Sequence, residues 1–303
     1  MTAVLDGLLT DEAWIDRPLW VLYLQQETDS PTAGEEDLRG HQLLLSAGAT
    51  IVYDASSAVT VVGRHEYSSC IVVEYASPAA FAGLLPESGV AGLAEMLGPH
   101  GYAIPTSSGW LPSAASGFPA PLKAQQPIAR WDAARLEAHV DENEKIAAAG
   151  RSGPTFATME QAKHFATEPA QGGGEVWMLN LVQFSAEPRA WTGRITPDRM
   201  ESGEAAYARY GELTAASTED DGPLIQHAGR AMYSSRRISA SLVGESDFDR
   251  MILVQYPDRD HYLSMGAYKS YVAAHPYREQ GLAELYIVST RPKAPSTSAA
   301  ARL

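Results

Sequence analysis

The stretch Val176-Trp177-Met178-Leu179-Asn180-Leu181-Val182-Gln183-Phe184 sets the interpretation of the whole chain. A short run rich in Leu, Val and aromatic residues is typical of a strand that is buried on both faces. The run Trp20-Val21-Leu22-Tyr23-Leu24-Gln25-Gln26 has the same shape, with Trp20 in the place of Trp177. The sequence therefore predicts that one strand occurs twice.

The segments that follow each of these strands come in one order. In the first half we predict a strand at 19–26, a helix at 35–47, strands at 50–53 with 58–62 and at 68–75, a helix from Ser77-Pro78, and a strand from Tyr102 to Trp110. In the second half we predict a strand at 177–184, a helix from Thr196, strands at 224–233 and 248–256, a helix from Pro257, and a strand at 285–290. The order β-α-β-β-α-β is that of a ferredoxin-like unit, in which two helices cover one face of a four-stranded antiparallel sheet.

A direct alignment of the two halves supports a duplication. Residues 70–75 align with 251–256 without a gap, and Phe81 then falls on Tyr262. Self-similarity of this length indicates an internal repeat. Because each sheet has one uncovered face, two such sheets can close on each other. The predicted fold class is therefore α+β, with two ferredoxin-like units forming an intramolecular dimeric α+β barrel whose halves are free to differ.

The composition and the repeat divide the chain into four segments. We predict a first unit at 1–112, a Pro- and Ala-rich, partly helical linker at 113–174, a second unit at 175–294 and a disordered tail at 295–303. Within the linker, Thr158-Met159-Glu160-Gln161 has the pattern of a capping box, which predicts a short helix at 159–167.

Charge and cysteine content restrict the partners. The 303-residue chain has a formal net charge of −14, which opposes binding to nucleic acid and to anionic membranes. No apolar run approaches the roughly 20 residues that span a bilayer, and the start lacks the basic region of a secretory signal. Cys70, the single cysteine, lies in an apolar strand, where we expect a small buried residue. A cytoplasmic location fits these features.

The second unit, at 176–292, resembles the domain of unknown function 1330 family of the dimeric α+β barrel superfamily. The motifs that carry this resemblance are Met178-Leu179-Asn180-Leu181, Ala205-Ala206-Tyr207-Ala208-Arg209-Tyr210-Gly211, Val254-Gln255-Tyr256-Pro257 and Tyr277-Arg278-Glu279-Gln280-Gly281. The resemblance implies a fold and a pocket, and no particular reaction. The superfamily includes cofactor-free monooxygenases, isomerases, polyketide cyclases and haem enzymes. The chain departs from the family at Gln183, where Arg is frequent, and the first unit has Tyr23 in the place of Asn180.

Three polar residues of the second half are candidates for catalysis. Asn180 lies among apolar residues, and its amide either donates to a substrate carbonyl or binds backbone. His227 lies on a strand opposite its apolar neighbours and is either a general base or a structural histidine. Arg278 follows a helical segment and either anchors a carboxylate or enolate or forms a surface salt bridge.

Several further side chains are candidates for substrate binding. Tyr207 and Tyr210 are three residues apart on a predicted helix and share a face. Tyr256 and Tyr75 end equivalent strands and could line the mouth of the barrel, or could serve in packing. Asp54 corresponds in position to His227, so the two are predicted to pair across the cavity, and Tyr23 stands in the place of Asn180.

Motifs for cofactors are absent from the sequence. No HExxH or CxxC pattern indicates a metal site, and no axial histidine for haem stands out. Phosphate-binding glycine loops and the GxSxG elbow are absent as well. We therefore expect neither a metal nor another cofactor.

These features together favour a cofactor-independent isomerase, cyclase or monooxygenase of specialised metabolism. Its small-molecule substrate would be aromatic or polyketide-like and would bind inside one or both halves of the barrel. The alternatives are a non-catalytic protein that binds a small molecule or another protein, and a structural repeat with a filled interior. The chain would be a monomer with an internal pseudo-dimer, or a homodimer.

Overall fold

Two four-stranded antiparallel sheets are joined in this structure, a computed structural model of the chain. It describes residues 3–15, 17–26, 49–85, 89–107, 157–169, 173–187, 201–215, 230–267 and 269–292, together with residues 134, 137, 138 and 155. The first unit consists of α1 Ala3–Thr10, β1 Leu19–Gln26, β2 Thr50–Val62, β3 Tyr67–Tyr75, α2 Pro78–Ala82, α3 Val90–Leu97 and β4 Tyr102–Ser107. After α4 Met159–Thr167, the second unit consists of β5 Val176–Phe184, α5 Gly203–Ala215, β6 Arg230–Ser234, β7 Arg250–Tyr256, α6 Arg259–Leu263, a 3-10 turn Ser264–Ala267, α7 Lys269–Gly281 and β8 Leu282–Pro292.

The order of the strands confirms the predicted fold class. The eight strands form one sheet in the order β4-β1-β3-β2-β8-β5-β7-β6, and every neighbouring pair is antiparallel. Each half has the arrangement of a ferredoxin-like unit, with its first strand between its third and fourth strands. The chain is thus an intramolecular α+β barrel built from two similar units.

Backbone pairing joins the two units on both sides of the barrel. Strand β2 pairs first with β3 of its own unit and then, from Ala55 onward, with β8 of the second unit. In the second unit β6 pairs with β7, and the segment 237–243 that follows it binds β4 through Ser107 N to Arg237 O at 2.9 Å and Ala103 N to Val243 O at 3.1 Å. Backbone hydrogen bonds therefore close the ring at both seams.

Alternate side chains of the central strands fill the interior of the barrel. Trp20, Leu22 and Leu24 of β1 and Trp177, Leu179 and Leu181 of β5 belong to one buried cluster. Rings from opposite units meet there, with centroids 5.2 Å apart for Trp20 and Tyr233 and 5.8 Å apart for Tyr53 and Trp177. In the described part of the chain this interior is packed with large side chains.

Some predicted elements differ in extent from those observed. The segments predicted as separate strands at 50–53 and 58–62 form the single strand β2, because pairing passes without a break from β3 to β8. Helices α1 and α3 were not predicted, although Leu5 and Leu8 of α1 are buried on one face. The helix predicted at 35–47 and the strand residues predicted at 224–229 lie outside the described residues.

The predicted capping box of α4 is present. The Thr158 hydroxyl accepts from Gln161 N at 3.2 Å, and Gln161 Oε1 accepts from Thr158 N at 3.1 Å. Replacing Thr158 by Ala is expected to lower the free energy of unfolding by about 1 kcal/mol, since an N-cap side chain is lost. Chemical denaturation measures this change. Thr167→Ala at the other end of the helix serves as control, and an equal loss there would contradict the capping role.

Candidate functional site

The helix-covered face of the second sheet carries polar and partly accessible side chains. On β5, Met178 and Val182 point to this face and are buried, whereas Asn180 between them keeps accessible surface. On the neighbouring inner strand β7, Ile252 and Val254 are likewise only partly buried. Solvent reaches these positions in the middle of the sheet, so the described helices leave an incompletely covered space above them. We call this space the outer cleft, with Asn180, Ile252 and Val254 as its floor.

The amide of Asn180 is oriented by the backbone. Its Nδ2 donates to Met178 O at 3.0 Å and lies 3.5 Å from Ile252 O. Within the described ranges, no group donates to its Oδ1. Of the two alternatives predicted for Asn180, the structure shows the amide bound to backbone, so its oxygen is what Asn180 can offer to a ligand.

Five tyrosines lie together beside this floor. The ring centroids of Tyr207 and Tyr210 on α5 are 5.5 Å apart, and Tyr210 lies 6.3 Å from Tyr271 on α7. Tyr256 at the end of β7 lies 5.3 Å from Tyr262 on α6. Tilted and edge-to-face rings at such distances attract one another. The predicted residues Tyr207, Tyr210 and Tyr256 thus belong to one aromatic group that packs between helices and sheet.

Charged side chains are buried next to the tyrosines. Arg278 on α7 is only 7% exposed, and its guanidinium binds the carboxylate of Glu279 and donates to Thr155 O at 3.2 Å. Glu279 is fully buried, and its Oε1 lies 3.5 Å from His275 Nε2. The alternative that Arg278 forms a surface salt bridge is therefore wrong.

Burial controls the protonation of this group. Burial alone would lower the pKa of Arg278. The neighbouring Glu279 and Tyr271 raise this pKa by more than burial lowers it, so the net shift is upward. Burial raises the pKa of Tyr207 and Tyr210 despite the opposing charge of Arg278. At neutral pH a fixed cation therefore lies near phenols that keep their protons and can donate them in hydrogen bonds.

The substrate-binding residues predicted in the first unit lie elsewhere. Tyr23 and Tyr75 are both buried under the helices of the first unit, where their hydroxyl oxygens are 2.7 Å apart. Of the two alternatives predicted for Tyr75 and Tyr256, a place at the barrel mouth or a role in packing, the structure shows packing, because each lies beneath the helices of its own unit. Asp54 is partly buried on β2, near Cys70, whose pKa is raised by burial and by this carboxylate.

His227 lies outside the described residues. Its predicted role as a base and its predicted pairing with Asp54 therefore stay predictions.

Sequence reasoning missed three residues of the site on α7. Tyr271, His275 and Glu279 are spaced four residues apart and therefore lie on one face of the helix. The ring of His275 stacks on Tyr271 with centroids 5.3 Å apart. This spacing was visible in the sequence, but Pro276 within the run concealed a continuous helix.

The paired phenols of the first unit give a pH prediction. Burial raises the pKa of Tyr75 to about 12, against 10 for an ordinary phenol, although its bond to Tyr23 lowers it. Below about pH 10 both folded and unfolded chains hold the proton; above it the unfolded chain ionises first. We therefore expect the free energy of unfolding to fall from about pH 10 to about pH 12. Urea denaturation across this range measures it, and Tyr75→Phe should make the fall shallower. An equally steep fall in that variant would contradict the assignment.

Among the described residues, no helix has the length and apolar character needed to cross a membrane.

Comparison with known proteins gives distant structural similarity alone. No family model matches the sequence, and no curated protein matches it. One similar structure is that of a protein of unknown function from Rhodopseudomonas palustris. It is 21% identical in sequence, the alignment covers 47% of this chain and 98% of that chain, and the TM-score is 0.38.

Two longer structures are similar along most of the chain. An anthrone oxidase-like protein is 10% identical, with 92% of both chains covered and a TM-score of 0.40. A chlorite dismutase from Candidatus Nitrospira defluvii is 10% identical, with 95% of this chain and 94% of that chain covered and a TM-score of 0.37. Similarity this distant assigns no activity to this chain.

Proposed function

We propose that the chain is an enzyme that converts a small, largely apolar, aromatic or polyketide-like molecule in the outer cleft of the second unit. The observation that carries this proposal is the accessible floor of Asn180, Ile252 and Val254 next to a buried cation and protonated phenols. Large apolar surface with a few convergent polar groups is the usual composition of a small-molecule site.

The side chains suit a substrate that develops negative charge on oxygen. The phenols of Tyr207 and Tyr210 stay protonated and can donate to an enolate or phenolate, and the charge of the buried Arg278 nearby would favour it. The aromatic faces would pack on a substrate ring. Asn180 Oδ1 would accept a hydrogen bond from a substrate hydroxyl, which would fix the orientation of the ring.

A proton acceptor completes the proposed reaction. His275, backed by the carboxylate of Glu279 at 3.5 Å, is the candidate within the described residues, and His227 stays the predicted alternative. The base would take a proton from the carbon next to a carbonyl group, and the electron pair of the C–H bond would form the enolate. Return of the proton at another carbon gives an isomer, and attack of the enolate on a second carbonyl gives a ring. Attack of the same carbanion on molecular oxygen would begin an oxygenation without a cofactor.

Proton abstraction can be tested without knowledge of the natural substrate. The probe is 1-tetralone, an aromatic ketone, whose exchange of α-hydrogen for deuterium in D2O is followed by mass spectrometry. We expect the wild-type chain to catalyse this exchange and His275→Gln to catalyse it about 100-fold or more slowly, because a general base is lost. Asn180→Ala and Arg278→Lys should also slow it. His164→Gln on the exposed face of α4 is the matched control.

The rival proposal is a protein that binds such molecules without converting them. The contacts of Glu279 with both Arg278 and His275 favour this rival, because ionic side chains with a purely structural role would make the same contacts. Binding of 1-naphthol, measured by its fluorescence, separates the two. Catalysis predicts that His275→Gln keeps binding and loses exchange. Binding without any exchange in the wild-type chain would favour the rival, and His227→Ala, if it alone abolished exchange, would move the base to that residue.

A further inference from the structure

Two histidines and a glutamate from three separate turns meet where the first unit contacts the second. His65 lies in the turn between β2 and β3, His100 in the turn before β4, and Glu245 between β6 and β7 of the other unit. The two imidazoles and the carboxylate each offer one ligand atom, and these atoms all lie within 4.8 Å of one another. The outer cleft uses none of the three.

The distances suit a shared ion better than a hydrogen bond. His100 Nδ1 lies 3.5 Å from Glu245 Oε1, and among the described residues this buried nitrogen makes no hydrogen bond. A tetrahedral metal with bonds of about 2.0–2.1 Å holds two of its ligand atoms about 3.3–3.4 Å apart. The His65 ring stacks on His100 with centroids 3.7 Å apart and planes 3° from parallel. A small rotation of the two rings relative to each other would direct one nitrogen of each ring at a shared ion.

The surroundings leave these three side chains available. The neighbours of His65 are engaged elsewhere, since Arg64 Nη2 lies 3.2 Å from Glu284 Oε1 and Glu66 accepts from Thr60 N at 3.2 Å. Burial, followed by the proximity of His100, lowers the pKa of His65.

A glycine holds the third ligand in place. Gly244, directly before Glu245, has a φ of +123°, and a Cβ there would lie 2.1 Å from a ring carbon of Tyr102. Only glycine allows this turn to approach β4 so closely. The backbone of the second unit is thus brought against the turn that carries His100.

We propose that His65, His100 and Glu245 bind one divalent transition-metal ion, with water completing the coordination, and that the ion fastens the two units together. Two imidazole nitrogens and one carboxylate oxygen are a donor set that zinc accepts in a tetrahedral site. The sequence-based expectation that no metal is bound rested on the absence of local motifs, whereas these ligands come from three distant turns.

Titration of the full, tag-free chain with zinc tests the proposal. Isothermal titration calorimetry should show one ion per chain, and Co2+ in place of zinc should give the visible absorption of a tetrahedral site. His65→Gln, His100→Gln and Glu245→Gln should each weaken zinc binding by about 100-fold or more, since even the loss of a residue that only supports a ligand costs about 10- to 100-fold. Zinc should also raise the thermal midpoint of the wild-type chain and not that of the variants.

His164→Gln is the control, because this histidine is exposed on α4 and outside the group. Glu245 is 58% exposed at its side chain, so Glu245→Gln is compatible with folding, which circular dichroism verifies. The proposal is overturned if zinc does not bind saturably, if the three variants bind it as the wild type does, or if His164→Gln weakens it as much as they do.

Discussion

Replacing Glu279 by Gln is expected to lower the free energy of unfolding by about 3–5 kcal/mol, because it leaves a buried cation without its counter-charge. Arg278 is 7% exposed and Glu279 is fully buried, so water cannot take over the lost interaction. The amide of Gln keeps the size of the side chain, which separates the loss of charge from the loss of packing. Urea denaturation at neutral pH measures the change.

An exposed pair of the same residue types provides the control for this experiment. Arg209 and Glu212 on α5 form an ion pair at 3.0 Å, and the Glu212 side chain is 67% exposed. Glu212→Gln should cost less than about 1 kcal/mol, the usual limit for exposed ion pairs. Similar losses in the two variants would mean that Glu279 contributes no more than a surface charge, and the buried cation would then need another partner.

Replacing Trp177 by Ala is expected to lower the free energy of unfolding by about 3–5 kcal/mol, since a large, fully buried side chain leaves a cavity. Trp177 lies in the interior shared by the units, and its ring is 5.8 Å from that of Tyr53 in the first unit. The destabilisation should therefore appear in one cooperative transition of both units.

Calorimetry and denaturation followed by circular dichroism measure this transition. Val272→Ala on the exposed side of α7 is the control, because Val272 is 42% exposed and should change stability by less than about 0.5 kcal/mol. Two separate transitions, of which Trp177→Ala shifts only the second unit, would contradict a shared interior.

The fold was predictable because the same pattern occurs twice. Short buried strands such as Leu19–Gln26 and Val176–Phe184 are recognisable from apolar runs, and the repeated order of elements restricts the topology to one arrangement. The pairing between the two units was not predictable, because nothing in the sequence of Thr50–Val62 indicates that this one strand pairs first with β3 and then with β8.

The site was predictable only in part. Arg278, Tyr207, Tyr210 and Tyr256 lie close to one another on the helix-covered side of the second sheet. A strand that is apolar on both faces does not reveal which face the helices cover, so the sequence could not place Asn180 outside the barrel interior. For the same reason Tyr23 and Tyr75 were assigned to a substrate, whereas their hydroxyl groups satisfy each other.

The ring of hydrogen bonds at the two seams has a consequence for handling fragments of this protein. In the intact chain, β4 is bound by the segment 237–243 and the second part of β2 by β8, so these strands present no bare row of N–H and C=O groups. A fragment that ends before β5 would lose both partners at once. Bare strand edges recruit strands of other molecules, so such a fragment should self-associate or precipitate where the entire chain stays dispersed.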